Sequence, residues 1–220
     1  MNHYEYVSKS KYMPVKKELI KIINQVQNEL RKQFTFDYKF IGSSSRNMIT
    51  YDPKTNQGYD FDINIEVKNA NTNVNYNAKE LKKILMNTFN KVLRLNYSYF
   101  PCQDSTRVFT IKVYEDNHYL NTLCLRSPKI KYSCDFAIVN KINNHQQEYI
   151  RFNKNTQTYS WQMQGKGYLL SKKEKYIKKN KLTNELRKVY LDKKNLNTNP
   201  NKKSRVLYAE AINEIYNKNK

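Results

Sequence analysis

The sequence predicts an α+β fold: a mixed β-sheet core backed by helices, with a small, mainly helical segment at the C-terminal end. Three observations carry this. Residues 36–41 and 59–67 alternate apolar and polar side chains as half-buried strands do. The stretches after Pro14 and after Asn77 repeat apolar residues at helical spacing. Past Asn140 the alternation gives way to a lysine-rich passage whose last part is again spaced for helices.

Taken in order, Pro14 suits a first helical position, where its missing N–H is no loss. Leu19, Ile22, Ile23, Val26 and Leu30 then follow on one helical face, a core stripe without chemistry. Phe36 to Ile41 is a short strand that runs into Gly42-Ser43-Ser44-Ser45-Arg46, a turn that only small residues make. Gly42 allows close backbone approach to a ligand, and the hydroxyls and amides after it can donate to phosphate oxygens. Ser44, Ser45 and Arg46 read equally as plain loop residues.

The strand from Tyr59 to Val67 puts its apolar residues on one face and Asp60, Asp62, Asn64 and Glu66 on the other. Two carboxylates at i and i+2 repel one another unless a cation sits between them. Hard oxygen ligands of this kind suit Mg²⁺ (or Mn²⁺), which takes its remaining ligands from water and substrate phosphates. Glu66 is too far along the strand to share that ion. Next, Asn77 with Glu80 three residues on reads as a capping box opening a helix lined by Leu81, Ile84, Leu85, Phe89 and Val92.

Strands are expected at 107–114, 118–125 and 130–139, the last carrying Asp135, and one more at 148–152. Two helices are expected near the end, starting at Thr183 and at Ser204. Lys193-Lys194-Asn195 and a loop with Pro200 lie between them. These expectations divide the chain into a core over 1–155 and a basic helical segment over 156–220.

Asp60 and Asp62 on one strand, Asp135 on another, and a phosphate-gripping turn are the equipment for two-metal phosphoryl or nucleotidyl transfer. Each acid alone has a plainer reading. The Asp60/Asp62 pair is also what the wet face of an amphipathic strand looks like, and Asp135 has Lys131 and Ser133 on its own strand. The combination favours chemistry.

Composition narrows the partners. Forty Lys+Arg against 19 Asp+Glu in 220 residues give a net charge of +21, which points to nucleic acid or another polyanion. Residues 166–220 alone hold 16 Lys+Arg and 5 Asp+Glu. A lysine-rich habit of solvating surfaces is the competing explanation. Three cysteines form no CxxC and three histidines are scattered, so neither a disulfide framework nor a zinc site is expected. No apolar run is long enough for a membrane span and no signal-peptide core is present, so a cytoplasmic setting is expected. Trp161 and the 19 tyrosines are candidates for stacking on bases, with core packing the stronger reading for most of them.

Gly42-Ser43, Asp60-Phe61-Asp62-Ile63 and the later Asp135 together resemble the nucleotidyltransferase superfamily typified by DNA polymerase β. The sixteen residues between Ser43 and Asp60 exceed that family's usual spacer. A helix ending in Lys194-Asn195, a loop, and Ser204 opening the next helix are similar to the oligoadenylate-synthase-like and bacterial cyclic-oligonucleotide synthase (CD-NTase) branch. The resemblance implies a metal-dependent nucleotidyltransferase that moves an NMP from an NTP to a hydroxyl acceptor and releases pyrophosphate. It assigns catalysis and metal binding to Asp60, Asp62 and Asp135, and nucleotide binding to Gly42, Ser43, Ser44, Lys194 and Ser204. RNA or another nucleotide is the acceptor that fits the charge. A catalytically silent RNA-binding module, or transfer to a small molecule such as an aminoglycoside, are the alternatives.

Overall fold

The structure, a computed structural model, describes residues 2–55, 58–68, 76–97, 99–115, 129–143, 146–165 and 170–220. These residues form two compact units. One comprises Val7–Ile49 and Asn56–Gln164, the other Met1–Tyr6, Thr50–Thr55 and Gly165–Lys220.

The larger unit is built on a seven-stranded mixed sheet. Its strands are β2 (Thr35–Ile41), β4 (Tyr59–Lys68), β5 (Tyr99–Asp104), β6 (Phe109–Tyr114), β7 (Ile130–Lys141), β8 (Gln147–Asn153) and β9 (Thr158–Met163). The order is β2-β4-β7-β6-β5. The end of β7 also pairs with β8, and β8 with β9, so these last two strands form an arm on the sheet. Only β4 and β7 run parallel; the other pairs are antiparallel.

Helices α1 (Lys9–Leu30) and α3 (Ala78–Asn96) cover one face of this sheet. The expected stripe of α1 is the core: Leu19, Ile22, Ile23 and Val26 are fully buried, as are Leu85 and Phe89 of α3. Phe61, Ile63 and Ile65 of β4 and Tyr132, Cys134 and Phe136 of β7 are buried with them, and the Phe89 ring lies 4.6 Å from that of Phe136, centre to centre. The capping box opens α3 as expected, with Glu80 N–H donating to Asn77 Oδ1 at 2.9 Å. The start of α1 differs. Pro14 lies inside the helix, which begins at Lys9 after Ser8. Only one bond is lost there, the one a Pro14 N–H would have made to Ser10, and burial of Tyr12 and Val15 on the core stripe holds the extra turn.

Strands β5 and β9 were not anticipated, and the strand expected over 118–125 lies outside the described residues. An ion pair ties β5 and β9 to α3. Lys82, 1% exposed, places Nζ 2.6 Å from Asp104 Oδ1 and donates to the Ser105 carbonyl at 3.0 Å. Asp104 Oδ2 accepts from the Tyr159 hydroxyl at 2.6 Å.

In the smaller unit, β1 (Glu5–Tyr6) pairs with β3 (Thr50–Tyr51). Its helices are α4 (Ser171–Lys179), α5 (Thr183–Leu196) and α6 (Ser204–Asn219). The last two begin at the residues the sequence indicated; α4 is an addition. Leu186, Tyr190, Leu207, Ala211, Ile212 and Ile215 make the core of this unit. Arg187 lies over the Tyr6 ring, 4.0 Å from its centre. Asn195 clasps the backbone of Tyr4, accepting from its N–H at 2.6 Å and donating to its carbonyl at 3.1 Å. The long spacer after Ser43 now has a use, since part of it forms β3. Among the described residues no helix is long and apolar enough to cross a membrane.

Candidate active site

Register places the acids. In the parallel pairing of β4 with β7, Asp62 stands opposite Asp135 and Asp60 opposite Ser133. Directly paired residues share a face, so the three carboxylates converge on the side of the sheet away from α1 and α3. One carboxylate oxygen from each of Asp60, Asp62 and Asp135 lies within 4.8 Å of the others. The remaining lone pairs are steered by neighbours. Ser133 Oγ donates to Asp60 Oδ1 at 2.8 Å, and Thr110 Oγ1, from β6, donates to Asp135 Oδ1 at 2.5 Å.

The cluster carries more negative charge than its surroundings accommodate. Asp60 is an exposed residue, yet its carboxyl is pushed up to about 7, first by the protein atoms that displace water from it and then by Asp135 and Asp62. Asp62 is raised to about 6 by burial and by Asp135, against the pull of Arg46. Burial also raises Asp135, while the Thr110 hydrogen bond and Lys112 hold it down. Three oxygen donors that disfavour their own ionisation, spaced for a shared ion, fit a hard divalent cation of the Mg²⁺ type.

The Gly-Ser turn abuts these acids. It forms α2 (Gly42–Ser45), a single helical turn following β2, whose Ile41 pairs with Asp62. Gly42 has φ +63°, and a Cβ there would lie 2.3 Å from Asp62 Oδ2. Both the backbone conformation and the close approach require glycine. The hydroxyls of the next residues have distinct positions. Ser44 is 2% exposed and donates to the Ile41 carbonyl at 2.9 Å, and Ser45 donates to the Gly42 carbonyl at 2.9 Å. Ser43 is partly exposed; its carbonyl accepts from Met48 N–H at 2.9 Å.

Lys194 and Ser204 come together in the smaller unit. They line one cavity of about 850 Å³ with Asn2, Tyr4, Asn197 and Lys203. Lys194, at the end of α5, is nearly buried. Its Nζ donates to Thr50 Oγ1 at 2.6 Å and stands 3.9 Å from the centre of the Tyr4 ring. Ser204 is the exposed first residue of α6.

Sequence reading missed Ser133 and Thr110. Ser133 was accessible through its period-two spacing from Asp135. Thr110 needed the β6–β7 register, which no local pattern encodes.

No protein-family model and no curated protein matches the sequence. Solved structures do. The cyclic AMP-GMP synthase DncV of Vibrio cholerae, in complex with the linear intermediate pppA(3′,5′)pG, superposes with a TM-score of 0.56 at 13% identity, over 94% of this chain and 54% of that one. The GTP-bound form of the same enzyme gives 0.55 at 15% identity, over 94% and 52%. DncV of Escherichia coli bound to 3′-deoxy GTP gives 0.52 at 15% identity, over 94% and 53%. The chain thus spans about half the length of the structures it matches. Its fold is the nucleotidyltransferase fold in the form found in the DncV dinucleotide synthases.

Proposed function

We propose that this chain transfers a nucleoside monophosphate from an NTP to a hydroxyl acceptor, with release of pyrophosphate, and that the acceptor is RNA or another nucleotide. The observation that carries the reading is the convergence of Asp60, Asp62 and Asp135 within 4.8 Å, against a turn whose glycine touches Asp62. Divalent ions of the Mg²⁺ type, held by these three carboxylates, would neutralise phosphate charge and make the attacking hydroxyl more acidic. The residues themselves position. The Gly42-Ser43 turn holds the triphosphate tail close to Asp62, and Ser133 and Thr110 keep the Asp60 and Asp135 carboxylates aimed inward. The acceptor oxygen attacks the α-phosphorus as the bond to the β-phosphate breaks in line. Little covalent work falls to the chain; placement and charge do the rest.

Lys194 and Ser204 are proposed as further nucleotide-binding residues, since their cavity offers an ammonium and a hydroxyl to phosphate oxygens. In this reading residues 1–155 supply the catalytic core and 156–220 a basic segment. The net charge of +21 supports a polyanionic partner.

Incubation with labelled NTPs and Mg²⁺ or Mn²⁺, with and without RNA, tests the proposal. Pyrophosphate release with oligonucleotide products, or with lengthened RNA, is expected. Unchanged NTPs beside salt-sensitive RNA binding would replace it with a silent binding module, and modification of only a small molecule would reassign the acceptor.

A further inference from the structure

The face that bears the acids continues along β7 into the β8–β9 arm, and two arginines stand there. Val139 pairs with Tyr149 of β8 and lies four residues beyond Asp135 on β7. Tyr149 therefore projects on the same side as the acids, beside Val139, which is roughly 13 Å along β7 from Asp135 at about 3.3 Å per residue. Arg107 places its guanidinium carbon 5.1 Å from the centre of the Tyr149 ring. Arg151 Nη1 donates to Gln162 Oε1 at 3.2 Å, and the same oxygen accepts from the Tyr149 hydroxyl at 2.9 Å. The tyrosine, 7% exposed, is the post on which both exposed arginines are arranged. The backbone beneath Arg107 is fixed too, because Phe152 N–H donates to the Thr106 carbonyl at 2.9 Å.

Neither arginine has a carboxylate partner among the described residues. The acids nearest in sequence are engaged elsewhere: Glu148 with Asn140, and Asp104 with Lys82 and Tyr159. Guanidinium groups held in place with unsatisfied forks are suited to phosphodiester oxygens, which they grip in two-pronged fashion. This is notable in a chain whose 40 cations are overwhelmingly lysines.

Position supplies the rest. The Gly42 turn adjoins the acids from the β2 side of β4, whereas Tyr149 and its arginines stand across β7 from β4, Tyr149 level with Glu66. With the triphosphate tail at the turn, an in-line attacking group enters from the arginine side. Arg107 lies three residues before Thr110, the partner of Asp135, and Tyr149 is level with Val139, so the arginines are anchored roughly 10–13 Å from the acids, beyond the reach of a mononucleotide. At roughly 3.4 Å per stacked nucleotide a phosphate there lies about three or four residues back along a strand.

We propose that Arg107 and Arg151, arranged on Tyr149 and Gln162, form a phosphodiester-binding subsite for an acceptor strand of about four nucleotides or more. The subsite rests on the nucleotidyl-transfer reading above. The same chemistry serves an RNA supplied from outside or a linear product the enzyme has itself made.

The test is binding first, with the full chain and no NTP. Labelled oligoribonucleotides of two and six residues are titrated against wild type, R107A, R151A, the double variant and R107K. The six-residue strand should bind the double variant about ten-fold or more weakly, with a salt dependence shallower by roughly 1.4 in log–log slope, at about 0.7 per phosphate contact. The two-residue strand should bind all variants alike, and R107K should lose part of the affinity. Equal six-residue affinity in wild type and double variant overturns the subsite, as does an equal loss for both lengths. Unchanged melting temperatures verify folding. Pyrophosphate release by wild type with a two-residue acceptor reports separately on the transfer reading. If it fails while the length-dependent loss persists, the subsite survives as a strand-binding site. Products from NTP alone that shorten in the double variant identify the enzyme's own strand as the ligand; loss of extension only on added RNA identifies the external one.

Discussion

Asp60 and Asp62 project side by side because a strand repeats every two residues, and that alone made them visible in the sequence. Replacing either by Ala should abolish NTP turnover while leaving the melting temperature within a few degrees of wild type or higher, because each substitution relieves repulsion. A rate within ten-fold of wild type in saturating Mg²⁺ would remove the residue from the site. The same crowding sets a pH dependence. Carboxyls raised in the folded state bind protons more tightly there than in the unfolded chain, so the stability these three groups contribute is fully present below the ordinary carboxylate range and is lost as pH rises toward about 7. Melts in EDTA should therefore show lower stability at pH 8 than at pH 5, with added Mg²⁺ closing most of the gap. A metal-free protein equally stable at both values would mean the three groups do not share their charge. Ser133 and Thr110, by contrast, owe their roles to neighbours that only the assembled sheet brings near.

At the scale of elements, strong periodicity was readable and edge structure was not. The α1 stripe, the capped α3, β4, β7, β8 and the starts of α5 and α6 all follow local pattern. β5 interrupts its alternation with Pro101, and β9 lies in a polar stretch; both are held by pairing rather than by their own sequence. Pro14 misled because burial of neighbouring turns outweighs one missing backbone bond. The Lys82–Asp104 pair that fastens β5 and β9 to α3 was also invisible, since it joins residues on separate elements. Lys82→Ala strands a largely buried carboxylate and should cost about 3–5 kcal/mol in urea denaturation. Lys82→Met with Asp104→Leu should recover much of that. A single substitution costing under about 1 kcal/mol would show the pair to be ornamental.

For the whole molecule, the charge of +21 was plain from composition, while its distribution among functional and merely solvating lysines was not. If six or more phosphates of a single strand are engaged, RNA affinity should fall by about 300-fold or more between 50 and 200 mM salt, at about 0.7 in log–log slope per phosphate. A flat salt response would exclude a polyanion partner. Asp62 and Asp135 pair across β4 and β7 although 73 positions separate them in sequence. During synthesis on the ribosome, the first two acids emerge long before the third. The acid cluster cannot close until the intervening chain has been made and β7 has taken its place between β4 and β6, a slow, non-local step. A nascent chain stalled before Asp135 would carry two of the three carboxylates and no cluster.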